Sequence, residues 1–320
     1  MEEFHLKSEE ESLQSIVTRL GNPVSTVMLG SDYRIFRVPE IDGIIGYQLI
    51  RNCAVVLGDP VSLPEHESKL VKAFHLYCTK NALRIVYFLT SRTFAHWALN
   101  NGYKTLIQCS EEAIVNPQRF QMKQKLRWKF NHSLNQGVQI KEYKTFDCSL
   151  EKEIKEAIVN WLKTKKSSRI YLGNIHSIED KRVFYAVKDE KIVGLLTLAR
   201  IDRFQGWVIT SFFAIHEAPA GVTEHLICSV IDVLSKENCE FLCLGIVAKP
   251  NLEEIVGLSS LSKFLVNLIF RLSHWLFPLD TRINYFHKYR PYFCPMYVLF
   301  SGKLNLNELI AIKKILNVKL

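Results

Sequence analysis

Residues Lys123 to Gly137 read KQKLRWKFNHSLNQG. Lys123, Lys125, Arg127 and Lys129 crowd about two turns of a helix with no acidic residue among them. Leu126, Phe130 and Leu134 recur at i, i+4 and i+8, so one apolar stripe faces a core. Gly137 is the expected left-handed stop, and Val138–Lys144 then alternates like a strand. The pattern fits a basic face presented to a polyanion, and equally a plain solvated amphipathic helix.

Upstream, a capping box of Ser8 and Glu11 opens a helix through Leu20, ended by Gly21-Asn22-Pro23. Short strands are expected at Ser25–Leu29, Tyr33–Val38, Ile44–Ile50 and Cys53–Leu57. A helix over Glu65–Asn81, a buried strand Arg84–Leu89, a short helix Phe94–Asn101 and a strand Lys104–Cys109 precede the basic helix. Downstream come a helix Leu150–Lys165, a polar break at Lys165–Arg169, and strands Val183–Lys188, Ile192–Ile201 and Gly206–Ile215. A helix Gly221–Lys236, a strand Glu240–Val247, helices Ser259–Phe277 and Arg282–Tyr289, a strand Met296–Phe300 and a last helix from Leu306 follow. Each half runs helix, strand meander, helix, strand, then a further helix and strand. That order implies an α/β class with a mixed sheet (α+β character), built from two tandem N-acetyltransferase-like (GNAT-like) units, 1–146 and 147–320. No repeat of 20–50 residues accompanies it, so the duplication is architectural.

The chain has 320 residues, 48% of them hydrophobic and 11% aromatic, which is globular and long enough for two cores. Lys and Arg number 41 against 32 Asp and Glu, a net charge of +9 that favours polyanions such as nucleic acid or an anionic membrane. The eight cysteines are scattered through apolar runs with no CxxC pair, which points to a reducing cytoplasm and to neither disulfides nor zinc. The ten histidines form no HxH or HxxxH pair, so no metal is expected. The acidic start MEEFHLKSEEE has no apolar segment of the signal-peptide kind, and no run of about 18 apolar residues is long enough to span a bilayer. There is no Gly-x-Ser-x-Gly elbow.

Further motifs stand in order along the chain: Gly58-Asp59-Pro60-Val61, Trp97–Tyr103, Glu111–Val115, then Tyr285-Phe286-His287-Lys288-Tyr289-Arg290-Pro291-Tyr292-Phe293 with Tyr297 beyond. At these spacings the series, with the basic helix, resembles the phosphatidylglycerol lysyltransferase C-terminal family from about Leu13 to Phe300. That family contains the catalytic part of the multiple peptide resistance factor, an aminoacyl-phosphatidylglycerol synthase that carries membrane helices ahead of it; with no span read in these residues, a free-standing version is expected here. The resemblance implies two GNAT-like units, an aminoacyl-tRNA donor and a phosphatidylglycerol-like acceptor at the inner membrane surface. Lys288 falls on the family's lysine between aromatics, and Glu224 on an acidic position after its Ala-Pro-x-Gly turn. Both are expected to be catalytic. Arg127 and Asn131 match similar residues of the family's helix and, with Lys123, Lys125 and Lys129, are expected to hold the donor. The resemblance breaks at Ser211-Phe212-Phe213-Ala214, where family members carry Asp-Leu-Met-Arg. A carboxylate and a guanidinium suited to gripping an ammonium and a phosphate are therefore absent there.

No cofactor is expected. Coenzyme A needs a glycine-rich turn at a helix N-terminus, and Glu217-Ala218-Pro219-Ala220-Gly221-Val222 offers one glycine and a proline that lacks a donor. An acyl-CoA transferase and a non-catalytic RNA- or membrane-binding protein stay open as alternatives. Trp128 suits either a stacked base or a packed core. On Ser259–Phe277 an apolar face with Phe264, Leu268 and Trp275 lies opposite Lys263, Asn267, Arg271 and His274. It suits a membrane-facing helix, and as readily a helix that covers the core. The sequence does not decide the oligomeric state.

Overall fold

The computed structural model of the protein describes residues 11–30, 32–144, 147–164, 180–276, 280–302 and 304–315. The first helix, α1 (Leu13–Leu20), opens on Ser12, whose hydroxyl accepts from the Ser15 amide. The expected cap, Ser8, lies outside the described residues. The strand expected at Ser25–Leu29 is instead a 3₁₀ helix, Val24–Leu29. Its apolar run is overridden locally: the Asn22 side-chain oxygen accepts from the Ser25 amide, the Ser25 hydroxyl donates to the Asn22 carbonyl, and Thr26 donates to the Pro23 carbonyl. Such side-chain bonds offer the backbone an alternative to a ladder.

The remaining elements follow the sequence reading, most with altered ends, apart from a two-residue strand at Val61–Ser62, which that reading did not include. They are β1 (Arg34–Arg37), β2 (Gly43–Ile50), β3 (Cys53–Leu57), β4 (Val61–Ser62), α2 (Pro64–Lys80), β5 (Arg84–Ser91), α3 (Arg92–Asn100), β6 (Thr105–Val115), α4 (Gln124–Asn135) and β7 (Gln139–Tyr143). Then come α5 (Cys148–Thr164), β8 (Arg182–Lys188), β9 (Lys191–Ile201), β10 (Gly206–Ala214), α6 (Val222–Lys236), β11 (Leu242–Val256), α7 (Ser260–Leu276), α8 (Asp280–His287), β12 (Tyr292–Phe300) and α9 (Leu306–Ile315). The polar break at 165–169 lies outside the described residues.

All the strands join one 12-stranded mixed sheet, ordered β1-β2-β3-β5-β12-β6-β11-β10-β9-β8-β7, with β4 beside β2. Each half lends the other a strand. From the second half, β12 is inserted between β5 and β6, while β7 of the first half pairs with β8. Alternate residues of β12 serve two cores: Tyr297 and Leu299 pack with α2 and α3, Val298 and Phe300 with α9. The sheet is therefore covered on both sides there, which explains a near-continuous apolar strand.

The two parallel pairs differ. β3 and β5 stay in register over five residue pairs, from Cys53↔Arg84 to Leu57↔Phe88. β10 and β11 pair only at Trp207↔Leu242 and Val208↔Cys243, after which they diverge while β10 continues to Ala214. The wedge opened there receives α8, whose Phe286 packs against Phe212 of β10. Helix α4 of the first half shares one core with α6 and α8 of the second, with Leu126, Leu226, Phe286 and Tyr289 among its buried members.

Candidate active site

Helix α4 is held by a short list of contacts. Leu126 is buried and Phe130 half-buried, but Leu134 is exposed, so the inward stripe ends on Ser133 instead. Ser133 is fully buried and its hydroxyl lies 3.2 Å from His225 Nδ1 of α6; the His225 ring packs edge-on to Phe130 with centroids 4.4 Å apart. The polar register at Ser133 thus tracks a partner on α6, which hydrophobic periodicity cannot see. Gly137 does close the helix, with φ +82 and a Schellman pair of bonds, Gly137 N–H to Leu134 O and Val138 N–H to Ser133 O.

Helix α6 begins immediately after Gly221, whose φ is +93. A β-carbon on Gly221 would lie 2.3 Å from the Lys129 carbonyl oxygen, so only glycine lets α4 approach the α6 N-terminus this closely. That approach carries the Lys129 ammonium to 3.1 Å from Glu224 Oε1, in the first turn of α6. From the other side, Lys288, just beyond α8, reaches the same oxygen at 2.5 Å. The Thr223 hydroxyl donates to the second carboxylate oxygen at 2.9 Å. Glu224 is nearly fully buried, with its side chain 4% exposed, while Lys288 is 19% and Lys129 45% exposed.

Aromatic rings enclose the Lys288 ammonium. It sits 3.5 Å from the Tyr285 centroid and 5.7 Å from that of Tyr289, a cation–π arrangement. The two phenol oxygens lie 3.3 Å apart, and Phe212 stacks on Tyr285 at 5.7 Å and 22°. Burial alone would raise the Glu224 carboxyl, but its bond and charge interaction with Lys288 and the Thr223 hydroxyl outweigh it, and its pKa falls below the usual range. For Lys288 burial dominates, and Lys129 adds to it, so its pKa is lowered despite Glu224. At neutral pH the result is one carboxylate bridging two ammonium groups, with net positive charge and one cation that gives up its proton more readily than a free lysine.

Of the residues expected from sequence, Lys288, Glu224 and Lys129 therefore meet. Lys123, Lys125, Arg127 and Asn131 are exposed on α4, and no hydrogen bond or ion pair joins them to the carboxylate; Arg127 donates to the Met122 carbonyl. Phe264 and Leu268 are exposed on α7, with Leu261 and Leu265 beside them, while Val266 and Phe270 seat that helix on the core. Trp275 belongs to α7, but its side chain is outside the described ones. Sequence reasoning missed Thr223, His225 and Phe212, for which the only signals were adjacency to Glu224 and the aromatic run. At the break in the motif, Ser211 bonds to Thr197 at 2.6 Å and Phe213 stacks on Trp161 at 4.6 Å, so the run serves packing. Among the described residues no cluster of three His, Cys, Asp or Glu could hold a metal, and no helix is long and apolar enough to cross a membrane.

The sequence profile of the phosphatidylglycerol lysyltransferase C-terminal family matches residues 15–300. The chain belongs to this family. Its general activity is aminoacyl transfer to lipid, and the chain is a transferase of that kind by membership. No curated protein sequence matches the chain. The fold is similar to that of L-PGS from Bacillus licheniformis, with a TM-score of 0.76 at 19% identity over 93% of each chain. It is also similar to the C-terminal domain of a protein described as a lysylphosphatidylglycerol synthetase from Agrobacterium fabrum, at 0.75 and 17% over 92% of each. A conserved protein of unknown function from Bacteroides thetaiotaomicron aligns at 0.58 and 10%, over 87% of this chain and 88% of its own. At these identities the likeness establishes the architecture, and the two GNAT-like halves read from element order agree with it.

Proposed function

We propose that the protein moves an aminoacyl group from a charged tRNA to the free hydroxyl of a phosphatidylglycerol-like lipid, working in two units, 1–146 and 147–320, at the cytoplasmic membrane face. One observation carries this reading: Glu224 gathers Lys288 and Lys129 where the basic helix α4 docks on α6. The lipid hydroxyl attacks the ester carbonyl, a carbon–oxygen bond forms, and the ribose oxygen leaves with a proton. Ester replaces ester, so no cofactor is required. Lys288, held by Glu224 and the tyrosines, stabilises the developing oxyanion or the lipid phosphate. Lys123, Lys125, Arg127 and Asn131 line the exposed side of α4 and meet the donor's phosphates.

The exposed face of α7, Leu261, Phe264, Leu265 and Leu268, with Lys263 and Arg271 also exposed, supports contact with an anionic bilayer. Acyl-CoA is disfavoured because the α6 N-terminus, where its pyrophosphate would bind, already faces the Lys129 carbonyl. A carbonyl oxygen there repels phosphate. The test mixes the protein with labelled aminoacyl-tRNAs and phosphatidylglycerol vesicles and counts label in the organic phase. Lipid- and tRNA-dependent label that is lost in Lys288→Ala supports the reading. No label beside a working synthase control overturns it and leaves the binding role to which the packed Ser211–Ala214 run points.

A further inference from the structure

The outward face of α4 carries a feature that the reacting centre does not use. Trp128 is 63% exposed, and its indole stacks on His132 with centroids 5.4 Å apart and planes at 19°. The stack spans one helical turn and holds the indole flat, with its other face open; no second ring contact to Trp128 is found among the described residues. A lone exposed apolar side chain is ordinary, so its surroundings decide. The i−4, i−3, i+3 and i+4 neighbours of Trp128 are Gln124, Lys125, Asn131 and His132. None is apolar, so this face lacks the hydrophobic stripe that a bilayer or a partner helix would need.

An ordered aromatic plane on a basic helix that itself carries no acidic residue is instead the chemistry of single-stranded nucleic acid, where bases stack and phosphates meet Lys and Arg. The next residue along the chain, Lys129, points the other way and touches Glu224 at 3.1 Å. We infer that Trp128 and His132 form a stacking platform for an unpaired base near the 3′ end of the RNA donor. It would hold the terminal ribose ester beside Lys129 and the Glu224–Lys288 pair. This inference rests on the donor proposed above and adds the group that grips its single-stranded end.

The test measures affinity for a short single-stranded RNA with the acceptor-end sequence, across a salt series. The proteins are wild type, Trp128→Ala, Trp128→Phe and Lys125→Ala. Stacking contributes about 1–3 kcal/mol per base, so Trp128→Ala should weaken binding by roughly 5- to 150-fold with an unchanged salt slope. Trp128→Phe should recover much of the loss, and Lys125→Ala should flatten the slope by about 0.7. An RNA with abasic 3′ positions should bind wild type and Trp128→Ala alike. Equal affinity of Trp128→Ala and wild type for the intact RNA, or a loss that comes with a flatter slope, overturns the platform. If lipid transfer persists in that case, the proposed function stands without it. A wild-type protein that binds no RNA removes both.

Discussion

Replacing Gly221 by alanine should damage both stability and transfer, for reasons that a second glycine can separate. Gly221 and Gly137 both have positive φ, +93 and +82. A β-carbon on Gly137 meets nothing within 4 Å, whereas one on Gly221 would sit 2.3 Å from the Lys129 carbonyl oxygen. Gly137→Ala therefore reports backbone strain alone, about 1–2 kcal/mol for a left-handed residue. Gly221→Ala carries similar strain and must also push α4 away by roughly 1 Å, an overpacking cost of about 1–3 kcal/mol. For a chain of this length 1 kcal/mol moves Tm by roughly 2 °C. Gly137→Ala should thus lose about 2–4 °C and Gly221→Ala about 4–10 °C, measured by circular dichroism on matched samples. The displaced Lys129 should also leave Glu224, so that Gly221→Ala loses lipid transfer well below its Tm while Gly137→Ala keeps it. Equal Tm losses, or full activity in Gly221→Ala, would refute the claim that the α4–α6 contact builds the site.

Three other outcomes follow from buried charges. Glu112 lies buried on β6 with Oε1 unpartnered, and burial pushes its pKa up to about 7. The native state then keeps a proton that the unfolded chain releases above about pH 4.3. Stability attributable to this group falls as pH rises from there to about 7, by roughly 3 kcal/mol. Glu112→Gln should therefore stabilise the protein at pH 8 and flatten that decline in urea titrations; an unchanged slope would show the carboxyl to be solvated. The Glu224 carboxyl is depressed, so its contribution is present above the unfolded value and is lost as pH falls through the folded one. Glu224→Gln should remove an acid-side loss of stability below about pH 4.3 and abolish transfer. Glu308 is fully buried, bonds Arg84 at 2.9 Å and completes a capping box with Asn305. Glu308→Ala should cost about 3 kcal/mol in chemical denaturation, and a loss under about 1 kcal/mol would mean that α9 is held by Ala311 and Ile315 alone.

Much of the fold was legible because its signals are local. Cys53–Leu57 is a strand with the expected ends, and Gly137 stops α4 where its torsion requires. The misread elements are those decided elsewhere. Val24–Leu29 has a strand's composition but bends around Asn22 and Pro23. β11 runs to Val256, well past its apolar stretch, because Gln108, Ile107 and Leu106 of β6 continue to pair with it. At the site, Glu224 and Lys288 were found through a family pattern; nothing in the sequence states that two residues 64 positions apart touch. The motif Gly58-Asp59-Pro60 proved to be a stitch: the Gly58 amide donates to Phe88 O, and Asp59 accepts from the Ser91 amide at the cap of α3. Tyr297 likewise donates to Glu254 and stays away from the lysines.

The insertion of β12 between β5 and β6 bears on the order in which the molecule can be made. Until residues 292–300 have left the ribosome, β5 and β6 each present a bare edge in the middle of what will become one sheet. The first half is therefore synthesised long before it can close, and its nascent chain waits through about 150 further residues, roughly 8–30 s at ordinary translation rates. Strand addition from the far end of the chain is then the event that locks both halves together.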